Sequence, residues 1–306
     1  MRRMLTRQAR YFFTALPLLF GLWACSPFGR AQDNPGAPLL TPANVPTRTP
    51  PPPTEVPPSP TLTPLACLGA PGELQRGEVA TAERPIAFIV YLPPCYAEFT
   101  DEEYPVLYLL NGQPFSRDPY PPGEQWIRIG APQAADGLIH SRASVPFLIV
   151  FPEDRYWNLD QGARFGQYFL ENVIPYVEAN FRAVADRGHR AVGGLSRGGG
   201  WALQVGLTRP DLFSSLGLHS PAILSGDRAA FEHWIREMPR DLWPRLYLDV
   251  GDNDLERDFN IHVEELLTLY AIPHEWRLNN GAHDETYWSA HVEEYIRWYA
   301  QGWSQP

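Results

Sequence analysis

Apolar and polar positions along the chain fall into three regimes. An uncharged apolar run from Tyr11 to Ala24 follows a basic start carrying Arg2, Arg3, Arg7 and Arg10. A bilayer-spanning helix takes about 20 apolar residues, so this shorter run behind a basic segment predicts a secretory signal over 1–24. Between Ser26 and Ala66 the periodicity vanishes: there are 13 prolines, and only Arg30, Asp33, Arg48 and Glu55 are charged. Such chain packs no core and extends as semi-rigid polyproline II at about 3 Å per residue, so 25–66 is predicted to be a disordered stalk. From 67 to 306 periodic patterns return. Short apolar runs at Ile86 to Leu92, Val106 to Leu110, Phe147 to Phe151, Ala191 to Gly193, Leu216 to His219 and Leu246 to Val250 read as strands buried on both faces. Between them run helical stripes: Phe165, Phe169, Val173 and Val177; then Phe259, Val263, Leu266, Leu267 and Tyr270; then Trp288, Val292 and Ile296. Buried strands alternating with amphipathic helices predict an α/β domain over 67–306, with a mostly parallel central sheet flanked by helices on both faces.

One stretch of this body carries chemistry. The strand around Ala191 to Gly193 runs into Gly194-Leu195-Ser196-Arg197-Gly198, and helix formers Trp201, Ala202 and Leu203 follow. Strand, G-x-S-x-G turn and helix together form the context of a nucleophile elbow, where glycines permit the sharp turn that lifts a serine above the sheet edge. A serine hydroxyl is a weak nucleophile at neutral pH and needs a base, which an acid must orient. The turn Gly251-Asp252-Asn253-Asp254 follows a strand and offers that acid: Asp254 first, then Asp252, with Asp249 third because it lies within the strand and faces a helix or the core. The Asp-x-Asp spacing resembles the start of a calcium loop, but no Gly or distal Glu follows at the required places, so no metal is expected. His283 stands in the polar turn Asn279-Asn280-Gly281-Ala282-His283-Asp284 before the final helix and is the candidate base. His140, His189, His233, His262, His274 and His291 have no partner motif and read as surface or satisfied core residues, and His219, ending a strand, as a lining residue of the cleft. The order Ser196, Asp254, His283 is that of α/β-hydrolases.

Four segments, Tyr104 to Gly112, Gly194 to Gly199, Gly251 to Asp254 and Gly281 to Asp284, resemble in order and spacing the putative esterase (esterase D-like) family of α/β-hydrolases. That resemblance implies an α/β-hydrolase fold and acyl-ester chemistry, in a family that includes carbohydrate esterases and mycolyltransferases. Asn111-Gly112 departs from the His-Gly usual in the family. The developing oxyanion then meets the backbone N–H groups of Arg197 and Gln113. The Arg197 side chain reads either as a contact to an acidic substrate or as a helix-surface ion pair. The segment Pro114 to Gly130, with Tyr120, Pro121, Pro122 and Trp126, and the later Trp157, read either as rings lining a cleft for sugar or aryl groups or as core.

Composition narrows the classes further. All 25 basic residues are arginine, which excludes a phosphate-binding loop lysine, Schiff-base chemistry and a Ser-Lys dyad. The net charge of -10, or -14 without the four arginines of the leader, disfavours nucleic acid as a partner. Leu22-Trp23-Ala24-Cys25 resembles the lipobox of bacterial lipoproteins, which implies lipidation at Cys25, a membrane anchor and an exported, cell-surface or periplasmic location. With Cys25 so used, Cys67 and Cys95 remain as a disulfide pair. The sequence therefore predicts a cofactor-independent serine carboxylesterase acting on a small-molecule or carbohydrate ester, with an acyltransferase and a non-catalytic surface binding module as the rival functions.

Overall fold

A computed structural model describes residues 66–113, 123–154, 164–224 and 226–303. The signal, Cys25, the proline-rich stretch, Tyr120, Pro121, Pro122 and Trp157 lie outside the described residues. Eight strands, β1 (Glu73–Val79), β2 (Ile86–Leu92), β3 (Val106–Leu110), β4 (Leu148–Pro152), β5 (Arg190–Leu195), β6 (Ser215–His219), β7 (Arg245–Gly251) and β8 (Glu275–Asn279), form one sheet in the order β1-β2-β4-β3-β5-β6-β7-β8. The pairs β1/β2 and β2/β4 are antiparallel, and every pair from β4 through β8 is parallel. This is the mostly parallel sheet of an α/β-hydrolase fold.

The continuous apolar runs became strands because both faces of the sheet are covered. Along β3, Val106, Tyr108 and Leu110 point into one core while Leu107 and Leu109 point into the other. The first core is closed by α3 (Phe165–Tyr168), α4 (Ile174–Asn180), α5 (Arg197–Thr208), α6 (Phe231–Glu237) and α7 (Arg257–Leu269). The second is closed by α1 (Gln125–Arg128), α2 (Ala131–His140) and α8 (Glu285–Gln301). The stripe Phe165, Phe169, Val173 and Val177 is fully buried, and a single π-turn at Phe169–Val173 separates α3 from α4. Residues spaced by four drift around a 3.6-residue helix, and the wider π-turn brings them back to one face. Pro175, which donates no N–H, lies at the start of α4.

Two strands escaped the sequence pattern. In β1 only Val79 is buried, and in β8 nothing is. Both are edge strands, half in solvent, and carry no continuous apolar run. Cys67 and Cys95 are disulfide-bonded, as expected, across a sequence separation of 28 residues. The bridge fastens the chain ahead of β1 to the segment after β2, and closing a loop of this size stabilises a fold by about 2–4 kcal/mol. Among the described residues, no helix is long and apolar enough to cross a membrane.

Candidate active site

The site is assembled at the C-terminal ends of β3, β5, β7 and β8. β5 ends at Leu195, and Ser196 then takes φ 53° and ψ -122°, a backbone conformation that side chains rarely adopt. α5 begins at the next residue, so the serine stands on a turn between strand and helix. The turn tolerates only glycine at its flanks: a Cβ on Gly194 would lie 2.2 Å from the Gly198 carbonyl oxygen, and one on Gly198 would lie 2.1 Å from that of Leu110. The strain is held by bonds at the turn itself, the Ser196 N–H to the His219 carbonyl at 3.0 Å and the Ala222 N–H to the Ser196 carbonyl at 2.9 Å.

The three residues singled out from sequence meet. His283 Nε2 lies 2.8 Å from Ser196 Oγ, and His283 Nδ1 lies 2.8 and 2.9 Å from the two carboxylate oxygens of Asp254. The Asp254 side chain is fully buried while the His283 side chain is 12% exposed, so of the pair only the histidine reaches solvent. Asp254 is further fixed by the Glu256 N–H, which donates to Oδ1 at 2.7 Å. Bridging from Asp254 Oδ1 and Oδ2 to one imidazole nitrogen selects the tautomer with the proton on Nδ1 and leaves Nε2 as acceptor for the serine hydroxyl.

Asp252, two residues away, has a different task. It accepts hydrogen bonds from the Gly281 N–H at 3.0 Å and the Asn280 side-chain amide at 3.2 Å, and its own N–H donates to the Asn279 carbonyl at 2.8 Å. The Asn253 N–H reaches the Gly281 carbonyl at 2.9 Å. The two loops are thus zipped together, and the zip sets the height at which His283 emerges. Gly281 has φ 153°, and a Cβ there would collide with the Tyr287 ring at 2.5 Å, which explains the glycine. Asp284 caps α8 by accepting the Tyr287 N–H, ending the loop immediately after the histidine. The Trp288 ring packs nearly perpendicular to the imidazole at a centroid distance of 5.1 Å.

The loop after β3 faces the serine: a Cβ on Gly112 would lie 3.3 Å from Ser196 Cβ. The Gly112 N–H donates to the buried Gln125 side chain at 2.9 Å. The Asn111 amide donates to the Pro152 carbonyl at 3.2 Å, so this residue, where the family usually has histidine, ties the end of β3 to the end of β4. Gln125 and Trp126 were not foreseen as props of this loop. Trp126, weighed from sequence between cleft wall and core, is core: it is fully buried, and its indole N–H donates to the Leu110 carbonyl at 2.9 Å.

Two neighbours complete the site. The Arg197 guanidinium is paired with the buried Asp154 carboxylate at 2.5 Å, and the Trp201 indole N–H donates to the same oxygen at 2.8 Å. Between the two sequence readings of Arg197, the ion pair holds in this structure. Asp154 was missed because its partner Arg197 lies 43 residues further on and meets it only in the fold. Glu256 has its carboxyl pushed above the usual range by burial, a shift opposed by His283. His219, expected to line the cleft, does not. It is fully buried in the second core, bonded to Asp249 Oδ1 at 2.7 Å and to the Tyr299 hydroxyl at 3.0 Å. A polar side chain at a strand end need not face solvent, and here Asp249 of β7 and Tyr299 of α8 satisfy it inside the fold.

A family model described as "Putative esterase" matches residues 79–299, more than two thirds of the chain. An endo-1,4-beta-xylanase/feruloyl esterase of Xylanibacter ruminicola is 28% identical over 221 residues, covering 67% of this chain and 28% of that protein. The chain spans less than a third of the length of the curated relatives it matches. In fold it resembles a ferulic acid esterase, with a TM-score of 0.67, 24% identity and coverage of 76% of this chain and 100% of the other. It also resembles a CE1 ferulic acid esterase from Anaeromyces mucronatus solved in complex with ferulic acid, with a TM-score of 0.60, 19% identity and coverage of 74% and 90%. With the α/β-hydrolase sheet, the serine elbow and a match running from the end of β1 into α8, the chain belongs to the putative esterase family.

Proposed function

We propose that the chain is a serine carboxylesterase working through an acyl-enzyme. The observation that carries this reading is the continuous relay from Ser196 Oγ through both nitrogens of His283 to Asp254, every link within 2.9 Å. In the first half-reaction His283 Nε2 takes the hydroxyl proton as Ser196 Oγ bonds to the ester carbonyl carbon, and the N–H groups of Arg197 and Gln113 hold the developing oxyanion. The C–O bond to the alcohol then breaks, and the alcohol leaves with the proton from His283. Water repeats the sequence on the acyl-serine, giving the acid and free Ser196. Asp254 keeps the imidazole in the working tautomer and stabilises its cation.

The substrate class in this proposal is an aryl or sugar ester, with hydroxycinnamoyl esters of carbohydrates as the first choice, because relatives named feruloyl or ferulic acid esterases share the family or the fold. The sequence of 1–25 supports an exported enzyme anchored through a lipidated Cys25; the Cys25→Ser variant is expected in the soluble fraction and the natural protein with membranes. The test of the catalytic reading is hydrolysis of p-nitrophenyl acetate, methyl ferulate and a feruloylated arabinoxylan oligosaccharide, each with and without a sugar acceptor. Expected are free acid as the product, a higher kcat/KM for the feruloyl esters than for the acetate, and complete loss in Ser196→Ala. Acyl transfer to the acceptor in place of hydrolysis would make it a transferase, and activity surviving in Ser196→Ala would end the proposal.

A further inference from the structure

A second Asp–His pair lies beneath the site and touches no solvent. Asp249, fully buried in β7, accepts a hydrogen bond from His219 at 2.7 Å on one oxygen and from the Tyr287 and Tyr295 hydroxyls, each at 2.6 Å, on the other. His219, its register partner on β6, turns its other nitrogen to the Tyr299 hydroxyl at 3.0 Å. With Nδ1–H given to Asp249, His219 Nε2 is the acceptor and Tyr299 the donor. Burial, and then the charge of Asp249, raise all three tyrosines far above their ordinary range, so each stays a hydroxyl and keeps donating.

The cluster reaches both reacting side chains through backbone. The His219 carbonyl accepts the Ser196 N–H, and the Asp249 carbonyl accepts the Ser220 N–H. On the other side the ring of Tyr287 is the floor under Gly281, and its hydroxyl, besides bonding Asp249, accepts the Asn279 side-chain amide at 3.2 Å. Asn279 ends β8 and begins the turn that carries His283. Tyr295 and Tyr299 share the cluster but lie two and three turns further along α8, away from that turn.

We infer that Tyr287 is a positioning residue of the esterase reaction, its hydroxyl pinned by the buried Asp249 so that its ring holds the Asn279 to His283 turn at the height where the imidazole meets Ser196. This rests on the reading of Ser196 and His283 as nucleophile and base. Displacing a reacting group by about 1 Å can cost around 100-fold in rate, whereas Tyr287 is buried and offers a substrate no surface to bind. Tyr287 therefore acts on kcat and leaves KM alone. The equal bond from Tyr295 to the same oxygen serves stability only.

The experiment compares Tyr287→Phe with Tyr295→Phe in the full chain, using p-nitrophenyl acetate and counting competent serines with a fluorophosphonate. Both variants lose one 2.6 Å bond to Asp249, and Tyr287→Phe loses the Asn279 bond as well, so the unfolding free energy of each variant is measured beside its kcat and a purely structural role moves the two readouts together. Expected is a kcat per competent serine reduced about tenfold or more in Tyr287→Phe with KM within about twofold of the natural value, against kcat within about twofold for Tyr295→Phe. Asn279→Ala, which frees the Tyr287 hydroxyl on its other side, is expected to lower kcat in the same direction by a smaller factor. Equal kcat in the two phenylalanine variants, or natural kcat in both Tyr287→Phe and Asn279→Ala, overturns the inference. Neither result bears on the serine reading, which fails separately if Ser196→Ala retains hydrolysis.

Discussion

Two Asp–His pairs are built on one strand and its following turn, their acids Asp249 and Asp254 five residues apart. Asp254 and His283 are joined at 2.8 Å, and Asp249 and His219 at 2.7 Å. The difference lies in what the far nitrogen of each imidazole meets. For His283 it is a serine hydroxyl on a strained turn, with the ring 12% exposed; for His219 it is a tyrosine hydroxyl, with both side chains at 0%. A buried pair closed by tyrosines has no nucleophile and no access, so it makes and breaks no substrate bond and acts only by holding other parts in place. Geometry within the pair is therefore a poor sign of catalysis, and the third partner and the opening to solvent carry the distinction.

The sharpest way to break this comparison is to remove each histidine. His283→Ala is expected to lower kcat for p-nitrophenyl acetate by about 10⁴-fold or more at a smaller cost in stability than the removal of His219, because the lost ring is partly exposed and the Glu256 N–H still bonds Asp254. His219→Ala is expected to act the other way round. It leaves Asp249 without its histidine in the core, and breaking a buried pair costs about 3–5 kcal/mol, read by urea unfolding. Equal stability of the two variants would erase the proposed division between the pairs.

The next effect separates the two acids of the turn. Asp254→Asn keeps the shape but favours the wrong imidazole tautomer and is expected to cost about 10³- to 10⁴-fold in kcat. Asp252→Asn loosens the loop zip without touching His283, and its loss is expected to stay near tenfold, about 1.4 kcal/mol. A larger loss in Asp252→Asn would reassign the acid. The smallest effect on turnover belongs to the Cys67–Cys95 bridge, far from either pair in sequence. Cys67→Ser with Cys95→Ser is expected to lower stability by about 2–4 kcal/mol with kcat within about twofold, measured by denaturant unfolding and initial rates.

Much of this architecture could be read from residues. The central strands were legible because a parallel strand covered on both faces must be apolar throughout, as Val106 to Leu110 is. The edge strands β1 and β8 were not, because solvent takes one side and polar residues such as Arg76 and Arg277 are tolerated there. Ser196 and His283 were legible because the turn and the polar loop each have local chemistry. Asp254 and Asp252 could only be ranked: they share one turn, and which of them faces the histidine depends on how that turn is zipped to Gly281. His219 was misplaced for a related reason. Its partners Asp249 and Tyr299 lie 30 and 80 residues away and meet it only through strand register and helix packing. Gln125 and Asp154, which hold the loop after β3 and Arg197, were invisible for the same cause.

The central claim, that one pair drives a nucleophile and the other does not, is tested most directly by trapping the nucleophile. The folded protein is treated with a fluorophosphonate ester, digested and sequenced by mass spectrometry, in parallel with His283→Ala and His219→Ala at a temperature where all remain folded. The account predicts a single covalent phosphonate on Ser196 in the natural protein, retention of that adduct in His219→Ala and its loss in His283→Ala. Labelling at another residue, or equal labelling of Ser196 in His283→Ala, would contradict it.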